Sequence, residues 1–165
     1  MAESTVIKTR CGGSILIEDG TSPTPLSYTV TLEPGDFSVT PLRFTYTDLM
    51  DRCELVGSRK TGVEPGSISF SIHMRQFTGG TDGTIIDLIE GTGAYSARVS
   101  TDSGEFEGNV LKVTYTSEGT DFGDSSDHSV AFPKCRLFWS FSEGEPNTIE
   151  ITGTVLAAPT VTGPS

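Results

Sequence analysis

The sequence predicts an all-β domain, a sandwich or barrel with one short flanking α-helix. Three observations carry that prediction. Apolar and polar residues alternate with period two over several segments, the pattern of strands with one buried face. Glycine (19) and proline (9) punctuate those segments. Only one stretch keeps apolar residues at helical spacing. A length of 165 residues suits one domain that can bury a core without staples.

Taken in chain order, residues 14–18 are a weaker strand candidate, and Tyr28, Val30 and Leu32 alternate as a strand. Glu33-Pro34-Gly35-Asp36 reads as a tight turn, because Pro34 presets φ and Gly35 permits a positive one. Leu42, Phe44 and Tyr46 alternate next. Residues 48–65 mix charges with a short apolar patch and read as a long functional loop or arm. Over 67–76, Ile68, Phe70, Ile72 and Met74 face one way, and Ser67, Ser69, Ser71, His73 and Arg75 the other. Ile85, Leu88 and Ile89 predict a helix near 83–90, capped by Asp82 or Thr84 and ended by Gly91. Residues 94–100 are a second weak strand candidate. Leu111, Val113 and Tyr115 predict another strand. Cys135, Leu137, Trp139 and Phe141 share a face, as do Ile149, Ile151 and Val155, with residues 142–147 turning between them. The domain is expected over 13–158, between an N-terminal arm (1–12) and a C-terminal tail (159–165).

Composition narrows the function. Net charge is −11, so the chain is a poor candidate for gripping nucleic acid or an anionic membrane. Between Asp102 and Asp127 lie seven acidic residues and one base, Lys112. They make either a solvated surface or an electrostatic wall. Three widely spaced cysteines, Cys11, Cys53 and Cys135, fit neither a disulfide framework nor a zinc site, and free thiols in a reducing cytoplasm are expected. No run approaches the length of a membrane span, and the first ten residues hold no apolar signal core.

Residues that carry chemistry are sparse, and no catalytic site, cofactor or metal site is expected. Ser71 and His73 share a strand face, but a triad needs an orienting acid and an oxyanion hole as well. Paired carboxylates for glycoside cleavage are conceivable by number alone, yet the single tryptophan, Trp139, sits in an apolar row that suits packing. Gly79-Gly80-Thr81-Asp82-Gly83 precedes the helix without a phosphate-binding lysine, and Asp82 would repel an anion. Residues 120–128 are rich in oxygen but lack calcium-loop spacing.

The order of elements then becomes informative. "SYTVTLEPGDFSV" (27–39) leads through the long loop to "EPGSISFSIHMRQF" (64–77), then "GTIIDLIEGTG" (83–93), then "AFPKCRLFWSFSEGEPNTIEITGTV" (131–155). Over roughly 13–158 this resembles the major tail tube proteins of long-tailed bacteriophages, especially the non-contractile kind. The resemblance implies a β-sandwich with one flanking helix and hexameric rings, each copy giving strands to an inner β-barrel. It implies that stacked rings form a hollow tube on a tape-measure protein, with terminator and distal tail proteins at its ends. Such a chain would be assembled in the host cytoplasm, reside in the virion tail and let DNA pass without specific binding.

Two sets of residues are candidates under that reading. Glu33, Asp36, Asp102, Glu105, Glu107 and Glu150 would form an acidic lumen wall that repels phosphates. Leu49, Met50, Arg52, Glu54, Arg59, Lys60 and Glu64, in the 48–65 loop, would join ring to ring, with an apolar centre and a polar rim. The competing expectations are a monomeric all-β binding module, carbohydrate-binding or capsid-decorating, and a hydrolase.

Overall fold

A computed structural model describes residues 13–31, 37–77, 81–117 and 127–162. Its strands are β1 (Ser14–Glu18), β2 (Ser27–Thr31), β3 (Ser38–Thr40), β4 (Arg43–Asp51), β5 (Glu54–Glu64), β6 (Gly66–His73), β7 (Leu111–Ser117), β8 (His128–Ser142), β9 (Thr148–Val155) and β10 (Thr160–Thr162). The helix α1 spans Ile85–Glu90. The fold is all-β, with antiparallel pairing throughout and one short helix.

Eight strands form one sheet, in the order β2-β1-β7-β8-β9-β6-β3, with β10 also on β8. The sheet folds over on itself. Phe37, just before β3, stacks on Tyr115 of β7 at 4.8 Å and tilts against Phe70 of β6 at 6.4 Å. Yet β7 and β6 are separated on the sheet by β8 and β9. β8 makes the fold-over possible because it is long enough to serve both halves. Its first part pairs with β7 and β10, and Cys135–Ser142 pair with β9. We call β2-β1-β7 with the start of β8 the first half-sheet, and the end of β8 with β9-β6-β3 the second.

One apolar core fills the space between them. Ile15 and Ile17 enter from β1, Val113 from β7, Ile68 and Phe70 from β6, and Ile149, Ile151 and Val155 from β9, all essentially inaccessible to water. The alternation read from the sequence places these side chains. Gly153 takes an inward position in the same row because a side chain has no room there: a Cβ would come within 2.6 Å of the Arg136 carbonyl oxygen and 2.7 Å of Leu137 Cδ2. Trp139 packs at the core margin and donates its Nε1 hydrogen to Glu90 at 2.8 Å.

The helix lies where it was expected and is closed at both ends. Thr84 Oγ1 accepts from the Asp87 N–H, while Asp87 accepts from the Thr84 N–H, a reciprocal capping box. Gly91 ends the helix at φ 70°. The Arg98 guanidinium donates to the Leu88 and Ile89 carbonyls, which the helix leaves unpaired. The segment 94–100 is therefore no strand. It begins as a 3₁₀ turn over Gly93–Tyr95, and its polar groups serve as anchors. Tyr95 donates its hydroxyl to the Ser27 carbonyl, and the Val99 N–H points at Asp19.

Asp19 ties three segments together. The residue is 3% exposed, and its carboxylate accepts hydrogens from the Thr21 N–H and hydroxyl, the Leu26 N–H and the Val99 N–H. Burial alone would raise its pKa, but these hydrogen bonds outweigh it and hold the carboxyl below the usual range. The expected C-terminal tail needs one correction: residues 160–162 extend the sheet as β10, paired with Ser129–Ala131.

Candidate functional site

The residues 48–65, expected as a loop, are instead most of a β ribbon. β4 and β5 form a separate two-stranded sheet with paired residues from Arg43↔Glu64 to Asp51↔Glu54. At its tip Arg52 and Cys53 both have positive φ, 44° and 75°, as a two-residue hairpin turn demands. Neither residue is the glycine or asparagine that usually announces such a turn. Register shifts at Thr45/Tyr46 and Leu49/Met50 also break the alternation. Those two features hid the ribbon from sequence reading.

The ribbon carries all seven proposed ring-contact residues, and every one of them is exposed. Phe44, Tyr46, Leu49, Met50, Leu55, Val56 and Val63 also stand in solvent, with Leu55 65% exposed. Lys60 lies over the Phe44 ring at 3.4 Å, which joins ribbon residues only to one another. Charge separates the ribbon from the rest of the chain. It holds four bases (Arg43, Arg52, Arg59, Lys60) and four acids (Asp48, Asp51, Glu54, Glu64), so the whole net charge of −11 resides elsewhere.

The described strands cover the two edges of the second half-sheet only in part. Arg136–Ser142 of β8 pair with β9, and β7 reaches no further along β8 than Cys135. At the opposite edge β3 covers only Ser67–Ser69 of the eight-residue β6. No other strand among the described residues pairs with either edge.

The outer face of this half-sheet is rich in hydroxyls. The register sets Ser71, Glu150 and Ser140 in one row across β6, β9 and β8, and Ser69, Thr152 and Phe138 in the next. Ser67, Thr154 and Arg136 form a third row. Glu150 is exposed at the centre, in a shallow depression lined by Ser71, Ser140 and Thr148. Of the proposed lumen acids among the described residues, Glu150 is the one that lies on this face. A second cleft, between Tyr28 and Thr29 of β2 and Ile72 and His73 of β6, brings together no metal-binding cluster among the described residues.

Asp102, Glu105 and Glu107 lie in the 101–108 loop, not on a strand. The Asp102 side chain, 1% exposed, accepts from the Phe106 N–H at 2.7 Å, the Gly104 N–H at 3.1 Å and Lys134 at 3.0 Å. The Phe106 N–H, then Lys134 and the Gly104 N–H, hold this carboxyl below its usual pKa against the opposing effect of burial. Lys134 also pairs with Glu105 at 2.6 Å, and first Glu105, then Asp102, raise its pKa. Asp102 is thus a loop anchor, its carboxylate turned into its own loop and toward Lys134. Glu105 and Glu107 are exposed at the rim beside Arg136, whose guanidinium donates to the Glu107 carbonyl at 2.6 Å. Glu33 and Asp36 fall outside the described residues. Cys53 is exposed at the ribbon tip, whereas burial pushes the Cys135 thiol up to about 12. The chain matches no protein-family model, and no curated protein sequence matches it.

Proposed function

We propose that this chain is the structural subunit of a bacteriophage tail tube, assembling as stacked hexameric rings that conduct the genome. The observation that carries the reading is the edge of β8: among the described residues, no strand pairs with Arg136–Ser142 on the side away from β9. A head-to-tail joining of the β8 edge of one copy to the β6–β3 side of the next would extend the sheet from copy to copy. Repetition by a closing rotation yields a ring, and the joined half-sheets become a continuous barrel. The number six comes from the family resemblance.

The ribbon supplies the second contact. A lone two-stranded hairpin is marginal in water, and this one exposes seven large apolar side chains. Its lack of net charge lets it approach the acidic body of a copy in the next ring with little repulsion. The tape-measure protein would set tube length, with terminator and distal tail proteins at the ends, in the virion tail. Negative-stain electron microscopy of the purified, concentrated protein tests the reading. Rings or hollow filaments are expected. A chain that stays monomeric when crowded or seeded overturns it.

A further inference from the structure

We infer that the 101–108 loop is a stop that fixes the register at which one copy's sheet joins the next. The inference rests on the tube reading and adds what sets the position of the joint. It begins with the lane beside β8. On the side away from β9, β7 occupies that lane only as far as Leu111, opposite Cys135. Beyond it, among the described residues, no strand pairs with Arg136–Ser142. A strand from a neighbouring copy would enter the same lane and meet this chain where it leaves β8. The departure is at Val110. Its N–H donates to the Ser100 hydroxyl at 3.1 Å, and its carbonyl accepts from the Thr101 N–H at 2.8 Å. Those bonds draw Val110 toward Ser100 and Thr101 and close the neck of the loop.

The loop is fastened across the point where β7 gives way. Lys134, between the β7-paired residues Phe132 and Cys135, holds Asp102 at 3.0 Å and Glu105 at 2.6 Å. Arg136, just past Cys135, donates to the Glu107 carbonyl at 2.6 Å. The Thr101 hydroxyl donates to the Pro133 carbonyl at 3.1 Å, and Asp102 stiffens the loop through the Gly104 and Phe106 N–H groups. None of residues 101–108 belongs to the apolar core, so these ties serve position more than packing. Position is what an edge-to-edge joint lacks. Backbone pairing repeats every second residue, and a slip of two residues keeps every side chain on its own face. Such a slip moves a copy by about 7 Å along the strand. A head-to-tail contact closes into a ring only if its rotation closes, and otherwise it grows open. A fixed obstacle at the end of the lane selects one register.

Electron microscopy tests this through ring diameter. The unsubstituted chain should give rings or tubes of one diameter. Asp102→Ser combined with Lys134→Gln releases the loop from β8, and should spread the diameters and add open arcs. Urea unfolding checks that this variant is folded. Glu105→Gln changes an exposed residue and should give the same spread to a smaller degree. If the double variant does not fold, Glu105→Gln alone decides. A single parental diameter shows that register is set elsewhere. Loss of assembly by a folded variant shows that the loop is a required contact and not a stop. Either result overturns the inference and leaves the tube reading standing. If the unsubstituted chain forms no rings or tubes, the tube reading fails and takes the inference with it.

Discussion

The ribbon of β4 and β5 and the body it springs from are both antiparallel β structure, but different forces hold them. The body buries both halves of its sheet on one core, and its buried polar groups, such as Asp19 and Asp87, sit in hydrogen-bond networks. The ribbon buries almost nothing. Its apolar side chains are exposed, its charges balance, and its tip holds two non-glycine residues at positive φ. In the body, alternation produces a finished fold. In the ribbon, a similar composition produces an exposed surface, the one that the proposed ring stacking would cover. Substitutions should therefore divide cleanly: body variants change stability, and ribbon variants change assembly.

The largest effect is expected at Asp19. Asp19→Ala leaves three backbone N–H groups without their acceptor and should cost about 3 kcal/mol or more, read from urea unfolding. The same residue predicts a pH dependence. An unfolded Asp titrates near about 3.9, and Asp19 titrates lower in the fold. Its contribution is therefore complete above the unfolded value and disappears as pH falls through the folded one. Asp19→Asn should flatten that acid limb when unfolding midpoints are compared across pH.

Next comes Ile151→Ala, at the centre of the core and fully buried. A loss of about 3 kcal/mol is expected by the same measurement. Leu55→Ser and Tyr46→Ser, on the ribbon, should alter unfolding by no more than about 0.5 kcal/mol while reducing tube growth seen by light scattering. A stability loss as large as that of Ile151→Ala would erase the distinction between the two regions. The smallest effect sharpens it. Replacing Arg52-Cys53 by Asn-Gly relieves two left-handed residues and should stabilise the hairpin by about 1 kcal/mol. Amide exchange would show this as slower opening of β4 and β5, with the body unchanged.

Particular residues show why some of this was legible in the sequence. Ile68, Phe70 and Ile72, or Ile149 and Ile151, announce a buried face at once, since a strand turns every second side chain the same way. Thr84 and Gly91 announce the helix ends through local hydrogen bonding and left-handed geometry. Beyond the Leu42, Phe44 and Tyr46 alternation at its start, the ribbon was not legible, because two bulges shift its alternation and Arg52-Cys53 is unconventional turn chemistry. Asp102 looked like a wall residue because sequence gives acidity without direction. Its carboxylate turns into its own loop, toward two N–H groups and Lys134. Arg98 carried no signal either, since its role depends on where the helix end lies.

By itself the sequence determined the all-β character, the inward rows and the one helix, because these follow from side-chain alternation and local capping. It also set the charge contrast between a neutral arm and an acidic body. Tertiary structure decided that β8 spans both half-sheets and that, among the described residues, no strand pairs with Arg136–Ser142 on the side away from β9. It decided, too, that Glu150 faces out among hydroxyls while Asp102 is spent inside. Those outcomes depend on strand order and register between distant segments, and periodicity along a single strand contains no information about its neighbours.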